Sequence, residues 1–298
     1  MTTTAPRAVF VTRETDYELL LARHATREQA RFYLDTRGQK LAELETRHER
    51  FQSVLRQARA AVPVDWRQTL VRRADLDRFL FAPEDVIVAV GQDGLVANVA
   101  KYLNGQPVLG VNPAPDLYDG VLVRVRLDRL GAALPASLHN NVEVEHRTMV
   151  EAVLDTGEKL VALNELFVGH RSHQSARYRL AIGDIAEDHS SSGLIVATGT
   201  GATGWARSIM EATGQQLALA PQESAVGYFV REPFPSIATG TQLRAGKLDR
   251  TTTLQVTSRM NDGGVIFADG IEQDFLSFDW GRRASLAPSE RVLRLITA

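Results

Sequence analysis

The stretch DVIVAVGQDG, residues 85–94, decides the fold. Its first six residues form a nearly continuous apolar run, which is typical of a β-strand buried on both faces of a parallel sheet. A glycine-containing turn follows, and Leu95–Leu103 has the composition of a helix. Pro107–Val111 then predicts another strand. Strand, helix and strand with short joints form a βαβ unit, which predicts a parallel sheet.

The residues before this unit extend the same pattern. Arg7–Thr12 predicts a first strand, and Asp16–Ala61 has apolar residues at spacings of three, four and seven. That spacing predicts two helices, divided at Gly38. They are interpreted either as solvated helices packed on the sheet or as a contact with a second copy of the chain. Trp66–Val71 predicts a further strand, and Ala74–Phe81 a short helix.

After about residue 140 the pattern changes to mainly alternating strands. Asp155–Glu158 predicts the turn of a hairpin, and one helix is predicted from about Ala202 to Thr213. Strands are predicted around residues 142–145, 149–154, 160–163, 166–169, 176–182, 194–197, 225–230, 252–257 and 265–268. We therefore predict an α/β domain followed by a β-rich domain, with a boundary near Leu127–Ser137.

Composition excludes several classes of protein. The chain has 298 residues with 34 Lys and Arg against 36 Asp and Glu, so its formal net charge of −2 argues against a nucleic-acid binder. It contains no cysteine, which excludes disulfides and thiolate metal sites and fits a reducing compartment. No apolar run approaches the roughly 18–20 residues that span a bilayer, and the N-terminal pattern is not that of a secretory signal. We expect a cytoplasmic protein that binds neither membranes nor nucleic acid.

The first candidate site is the turn from Gly91 to Gly94. Glycines let backbone N–H groups approach a phosphate, and the start of a helix favours an anion. Asp93 would repel a phosphate, so it makes more sense as a partner of magnesium or as a base that takes a hydroxyl proton. The alternative is an ordinary turn in which Asp93 caps the following helix, and the residues alone leave both interpretations open.

The second candidate is the Thr/Gly loop within SSSGLIVATGTGATGW, residues 190–205. It follows a predicted buried strand and opens a helix, so it offers hydroxyls, uncovered amides and a helix N-terminus to an oxygen-rich ligand. The loop lacks the GxxxxGK[ST] pattern of a P-loop. Trp205 could stack on a base or fill the core.

The third candidate is the pair Asn164 and Glu165, which interrupts an apolar run. Neighbouring residues of a strand point to opposite faces, so the pair indicates either contacts to a sugar or base, or an exposed edge strand. Other polar clusters are weaker. His170 and His173 have a possible metal-ligand spacing without an HExxH context, and Ser190–Ser192 lacks the GxSxG turn of a hydrolase.

Together, GQDG at 91–94, ALNELFVG at 162–169 and SSGLIVATGTGATGW at 191–205 resemble the motifs of the NAD kinase family in the same order. The segments VFVTRETDYELL at 9–20, GVNPAPDLYDG at 110–120 and VREP at 230–233 are similar to the mitochondrial-type branch of that family, as is TGTG in place of TPTG.

The resemblance implies an NAD kinase-like fold. Its parts would be an N-terminal Rossmann-like α/β domain over 1–130, a C-terminal β-sandwich-like domain over 131–278, and a final segment over 279–298 that returns to the first domain. It implies transfer of the terminal phosphate of ATP, with Mg²⁺ or another divalent cation, to the adenosine 2′-hydroxyl of NAD. Polyphosphate is an alternative donor, and a homodimer or homotetramer is expected.

Site residues also follow from the resemblance. Asp93 matches the catalytic aspartate. The nucleotide- and phosphate-binding positions are Gly91, Gln92, Gly94 and Asn112, and the NAD-binding positions are Asn164, Glu165, Thr200, Thr203, Gly204 and Trp205. Mg²⁺ would be held through the donor phosphates, with no protein ligand assigned.

The main departure from the family pattern is Gln92, which stands where the family has a second glycine. Its side chain could crowd a triphosphate or change the backbone angle. The alternatives are a silent NAD-binding regulatory protein of the same fold and a kinase that acts on a lipid or sugar hydroxyl.

Overall fold

The computed structural model describes residues 5–139 and 141–297. The chain divides into two compact units, residues 1–145 with 294–298, and residues 146–293. The sequence placed these divisions near 130 and 278. The first unit extends further because Leu130, Ala133 and Leu134 pack into its core.

A parallel sheet organises the first unit. Its strands are β1 (Arg7–Thr12), β2 (Arg67–Arg72), β3 (Asp85–Val90), β4 (Pro107–Val111) and the end of β16 (Arg283–Ile296). They lie in the order β2-β1-β3-β4-β16, and every neighbouring pair is parallel. All six residues of β3 are buried, as its apolar run predicts.

The first unit contains five helices among its described residues: α1 (Asp16–Arg23), α2 (Arg27–Asp35), α3 (Leu41–Ala60), α4 (Asp93–Ala100) and α5 (Leu130–Leu138). The prediction of two helices before Pro63 was wrong. A third forms because Thr26 begins α2 and its hydroxyl accepts the N–H of Gln29 at 3.2 Å. Gly38, at φ +68°, separates α2 from α3. The short helix predicted at 74–81 is a 3-10 helix, Arg73–Arg78.

The second unit contains two sheets whose strand pairs are antiparallel. Their strands, besides β16, are β5 (Val144–Leu154), β6 (Lys159–Ala162), β7 (Glu165–His170), β8 (Ala176–Ile182), β9 (Ile185–Ser191), β10 (Leu194–Thr198), β11 (Ala225–Val230), β12 (Ala245–Asp249), β13 (Leu254–Ser258), β14 (Gly264–Ala268) and β15 (Ile271–Ser277). One sheet has the order β12-β11-β10-β7-β14-β15, and the other contains β16-β13-β8-β9 with β5 and β6.

Alternating side chains divide the second unit into two apolar layers. Leu166 and Val196 belong to a large core that also contains Tyr178 and Val256 of the other sheet. Side chains on the opposite face of β7 and β10 pack with α6 (Trp205–Thr213). The helix predicted from Ala202 begins at Trp205, and a 3-10 helix, Gly201–Thr203, precedes it.

Candidate functional site

The turn after β3 lies at the carboxyl edge of the parallel sheet. The N–H of Gly91 donates to the carbonyl of Val111 at 3.0 Å, which ties the ends of β3 and β4 together. The next helix begins at Asp93 rather than at Leu95 as predicted. Gln92 precedes it with φ −95° and ψ 169°, an ordinary extended conformation. The backbone at position 92 therefore does not require a glycine.

Both oxygens of Asp93 accept backbone N–H groups. The Oδ2 atom accepts from Val121 at 2.9 Å, and the Oδ1 atom accepts from Leu122 at 2.8 Å. The interpretation of Asp93 as a cap was wrong, because Gln92 is the cap position and makes no side-chain cap bond. Each carboxylate oxygen has a further lone pair. The carboxylate is thus held in one orientation and can still accept a hydroxyl.

Gly94 and Asn112, both predicted to bind phosphate or nucleotide, have different surroundings in the structure. Gly94 is exposed, and a Cβ atom built on it would meet nothing within 4 Å. The side chain of Asn112 instead organises its own loop. Its amide donates to the carbonyl of Tyr118 at 2.8 Å, and its oxygen accepts the N–H of Ala114 at 2.9 Å. Gly94 leaves room for a ligand, whereas Asn112 shapes the loop beside it.

A cavity of about 250 Å³ adjoins this turn. Its lining comes from the start of α1, from α3, from Gly91 and Gln92, and from the loop 113–118. Tyr17, Phe51 and Tyr118 supply aromatic surface. Because β1 pairs with β2 on one side and β3 on the other, the cavity lies where the strand order reverses. That position is the usual ligand site of open α/β sheets.

In the second unit, Asn164 precedes an inner strand and Glu165 begins it. Strand β7 pairs with both β10 and β14, so the interpretation as an exposed edge strand was wrong. The carbonyl of Asn164 accepts the N–H of Thr198 at 2.9 Å. A Cβ atom on Gly201 would lie 2.1 Å from the same carbonyl oxygen. The pair is therefore packed directly against the Thr/Gly loop.

Asp269 is the residue of this cluster that the sequence reasoning missed. Its carboxylate accepts the backbone N–H groups of Leu163 at 3.0 Å, Asn164 at 2.7 Å and Glu165 at 3.3 Å. Burial, and then the charge of Asp269, raise the pKa of Glu165 to about 7. An available signal was the Asp-Gly pair at 269–270, which is typical of a hairpin turn.

Threonine hydroxyls of the Thr/Gly loop form hydrogen bonds with the backbone of the same loop. Thr198 Oγ1 accepts the N–H groups of Thr200 at 3.1 Å and Gly201 at 3.2 Å. Thr203 donates its hydroxyl to the carbonyl of Thr200 at 2.8 Å. The buried guanidinium of Arg147 donates to Thr200 Oγ1 at 3.3 Å. The loop is thus braced from within.

Trp205 packs on the sheet. Its ring is stacked on Phe167, with the centroids 6.2 Å apart, and the Arg231 guanidinium lies 5.2 Å from its centroid. Trp205 is still 36% exposed. Thr203 and Gly204 are exposed beside it, and a Cβ on Gly204 would lie 3.7 Å from the carbonyl oxygen of Gly201, an ordinary van der Waals contact. The contact with Phe167 favours packing as the role of the indole.

The other polar clusters make local hydrogen bonds. Ser172 approaches His170 Nδ1 with its hydroxyl at 2.8 Å. Ser191 lies against the hydroxyl of Tyr178 at 2.7 Å. Within the described ranges, no three His, Cys, Asp or Glu side chains are grouped to hold a metal. No helix of the described residues is both long enough and apolar enough to cross a membrane.

The curated proteins that this chain resembles in sequence are NAD kinases. The chain is 29% identical over 127 residues to an NAD kinase from Chlorobaculum tepidum. It is 32% identical over 129 residues to one from Geobacter metallireducens, and 35% identical over 132 residues to one from Heliobacterium modesticaldum. These matches cover 42%, 41% and 42% of this chain, and 44%, 44% and 46% of those proteins. The chain thus matches less than half the length of these curated relatives. No family model matches it.

The fold has a solved counterpart. A crystal structure of an NAD kinase from Archaeoglobus fulgidus in complex with ATP aligns over 97% of this chain and 93% of that one. The TM-score is 0.59 and the sequence identity 19%. The predicted fold class, an α/β unit with a β-rich unit of this type, is therefore confirmed.

Proposed function

We propose that this chain is an NAD kinase that transfers the terminal phosphate of ATP to the adenosine 2′-hydroxyl of NAD, giving NADP. The observation that carries the proposal is Asp93, a carboxylate held by two backbone N–H groups at the carboxyl edge of the parallel sheet. The matches to NAD kinases and the shared fold support it.

Asp93 would orient the 2′-hydroxyl and take its proton as the oxygen attacks the terminal phosphorus. A bond then forms between the 2′-oxygen and phosphorus, while the bond from phosphorus to the leaving diphosphate breaks. The exposed Gly94 and the N-terminus of α4 suit phosphate oxygens. Positioning and electrostatic stabilisation are the main needs of such a transfer.

Magnesium would reach this site on the donor phosphates. Asp93 is the carboxylate at the turn, and both of its oxygens already accept N–H groups. This sparse donor set suits Mg²⁺, which keeps several waters and often binds through one or two carboxylates and substrate phosphates. Bound there, the cation would neutralise charge on the transferring group.

The cavity beside Gly91 and Gln92 favours a nucleoside triphosphate over polyphosphate. Its aromatic walls come from Tyr17, Phe51 and Tyr118. A nucleobase can stack on these side chains, whereas polyphosphate has no ring that could contact them. We therefore expect Phe51→Ala to raise the KM for ATP while leaving any use of polyphosphate unchanged. An equal effect on both donors would contradict this.

The second unit would bind the adenosine part of NAD. Asn164 and Glu165 would contact it with their side chains, and Thr200, Thr203 and Gly204 would border it. Trp205 would support the loop through Phe167. Membership of the mitochondrial-type branch, a homodimeric or homotetrameric state and a cytoplasmic location remain predictions from the sequence and its resemblance.

The test is a coupled assay in which purified protein receives NAD, ATP and Mg²⁺, and an NADP-specific dehydrogenase reports the NADP formed. We expect Asp93→Asn to lower kcat by about 10²- to 10⁴-fold, while calorimetry shows that NAD binding largely survives. Asp77→Asn, at an exposed aspartate of the 3-10 helix, is the matched control.

Equal loss of NAD binding in Asp93→Asn would contradict its role as catalyst. A wild-type protein that binds NAD but makes no NADP with ATP or polyphosphate would be a silent binder. Turnover of a lipid or sugar in place of NAD would indicate the other kinase class.

A further inference from the structure

Asp269 occupies an unusual backbone conformation. It lies in the turn between β14 and β15 with φ +50°, and Gly270 follows at φ +69°. Aspartate tolerates this left-handed region better than most residues, although at some cost. An Asp-Gly pair with both φ angles positive is the usual turn of a tight hairpin. The hairpin accounts for the backbone, but not for the direction of the carboxylate.

The carboxylate reaches across to the segment Leu163–Glu165 between β6 and β7. It accepts three successive N–H groups at 3.0, 2.7 and 3.3 Å, and the N–H of Asp269 donates to the carbonyl of Glu165 at 3.1 Å. These four bonds join the hairpin turn to the residues that precede and begin β7. A charged acceptor makes such bonds stronger than neutral ones.

We infer that Asp269 is a positioning residue for dinucleotide binding, because it holds the backbone from which Asn164 and Glu165 present their side chains. The inference rests on the proposed function. The opposite side of the same segment is fixed by close packing, since a Cβ on Gly201 would lie only 2.1 Å from the carbonyl oxygen of Asn164. The segment is therefore held between the Asp269 carboxylate and the Thr/Gly loop.

The charge of Asp269 acts on Glu165 as well. Burial comes first and the Asp269 charge second in raising the pKa of Glu165 to about 7. Asp269 lies on the β14–β15 turn and is the charged group that raises this pKa. The guanidinium of Arg147, on β5, donates to Thr200 in the adjoining loop. Removing the charge should let Glu165 ionise at lower pH. Asp269 thus acts on Glu165 through both geometry and charge.

The experiment measures NAD binding by calorimetry from pH 5.5 to 8.5. Asp269→Asn keeps the size and tolerates the turn, but removes the charge. We expect it to weaken NAD binding about fivefold at pH 8. We also expect the midpoint of the pH dependence of NAD affinity to lie at a lower pH than in the wild type. Asp269→Gly keeps the turn and removes all three acceptor contacts, so binding should weaken by about tenfold or more.

Matched controls separate this role from general damage to the fold. Asp249→Asn changes an aspartate at the end of β12, which accepts the N–H of Thr251, and should leave NAD binding unchanged. Glu165→Gln should abolish the pH dependence near 7. Amide exchange of Leu163–Glu165, measured without NAD, should speed up in Asp269→Gly and not in Asp249→Asn.

Two outcomes would overturn the inference. The first is that Asp269→Asn binds NAD with the wild-type affinity and with the wild-type midpoint of the pH profile. The second is that Asp269→Gly leaves the amide exchange of Leu163–Glu165 unchanged. Failure of the proposed function looks different. In that case the wild type makes no NADP, while the exchange result still reports on the Asp269 contacts.

Discussion

The carboxyl group of Glu165 lies where burial opposes its charge. Its pKa rises from 4.5 to about 7, first through burial and then through Asp269. Between these pH values the folded protein holds more protons than the unfolded chain, so the free energy of unfolding falls as pH rises. The loss reaches about 3 kcal/mol by pH 8. A group that weakens the fold at neutral pH is typical of a functional site.

We therefore predict that Glu165→Gln makes the protein more stable than the wild type at pH 8, by about 2–3 kcal/mol, and no more stable at pH 4. Thermal unfolding across this pH range checks the prediction. Glu272→Gln, at an exposed position of β15, is the control and should follow the wild type. Parallel curves for wild type and Glu165→Gln would contradict it.

Gln92 is the residue whose side chain departs most from the family pattern. Its backbone is unstrained at φ −95°, and the residue lines the cavity beside the turn from Gly91 to Gly94. Of the two effects expected of Gln92, a changed backbone angle is thus absent, and crowding of the donor stays a prediction. We predict that Gln92→Gly raises turnover or broadens donor use, measured by the coupled assay with ATP and polyphosphate. No change in either would show that the side chain does not crowd the donor.

At the scale of the element, a substitution in the first turn of α4 can separate an effect on phosphate binding from an effect on folding. A Cβ on Gly94 meets nothing within 4 Å, so Gly94→Ala should stabilise the fold by about 0.5 kcal/mol. We predict that it nevertheless raises the KM for ATP, because the new methyl group would stand where phosphate oxygens approach. Denaturant unfolding and steady-state kinetics of the same variant check both halves.

Gly201→Ala supplies the contrast, because its Cβ would lie 2.1 Å from the carbonyl oxygen of Asn164. That variant should lose stability and NAD binding together. A Gly94→Ala protein that behaved in the same way would show that Gly94 serves the fold and not the donor.

Elements with a strong apolar pattern could be predicted from the sequence. Strands β1, β8 and β11 have the predicted bounds, since each carries buried side chains in a regular pattern. Strand β9 was not predicted, because its sequence IAEDHSS is mostly polar and only its pairing with β8 makes it a strand. The break between α1 and α2 also escaped prediction, since it depends on the cap at Thr26.

The candidate site likewise has residues that the sequence predicts and contacts that it does not. Motif order predicted Asp93, Asn164 and Glu165 as site residues, but not which residues hold them in place. Asp269 lies 106 residues from Leu163, the first residue it binds, so no local spacing could connect them. The backbone partners of Asp93, Val121 and Leu122, follow β4 and become its neighbours only when the parallel sheet forms.

At the scale of the whole molecule, β16 is the strand shared by both units. Leu286 lies in the core of the second unit, paired with Leu254. Ile296 lies in the core of the first unit, paired with Leu109. Both side chains are fully buried, so truncating either to alanine should cost about 2–5 kcal/mol.

We predict that the two truncations destabilise different units, because each side chain belongs to a separate core. Amide exchange followed by mass spectrometry should show faster exchange in β3 and β4 for Ile296→Ala, and in β8 and β13 for Leu286→Ala. Equal acceleration in both units by either variant would contradict this, since it would mean that the units unfold as one cooperative structure. If the prediction holds, the unit with Asp93 and the unit with Glu165 can lose structure separately, and ligand protection of each measures which substrate it binds.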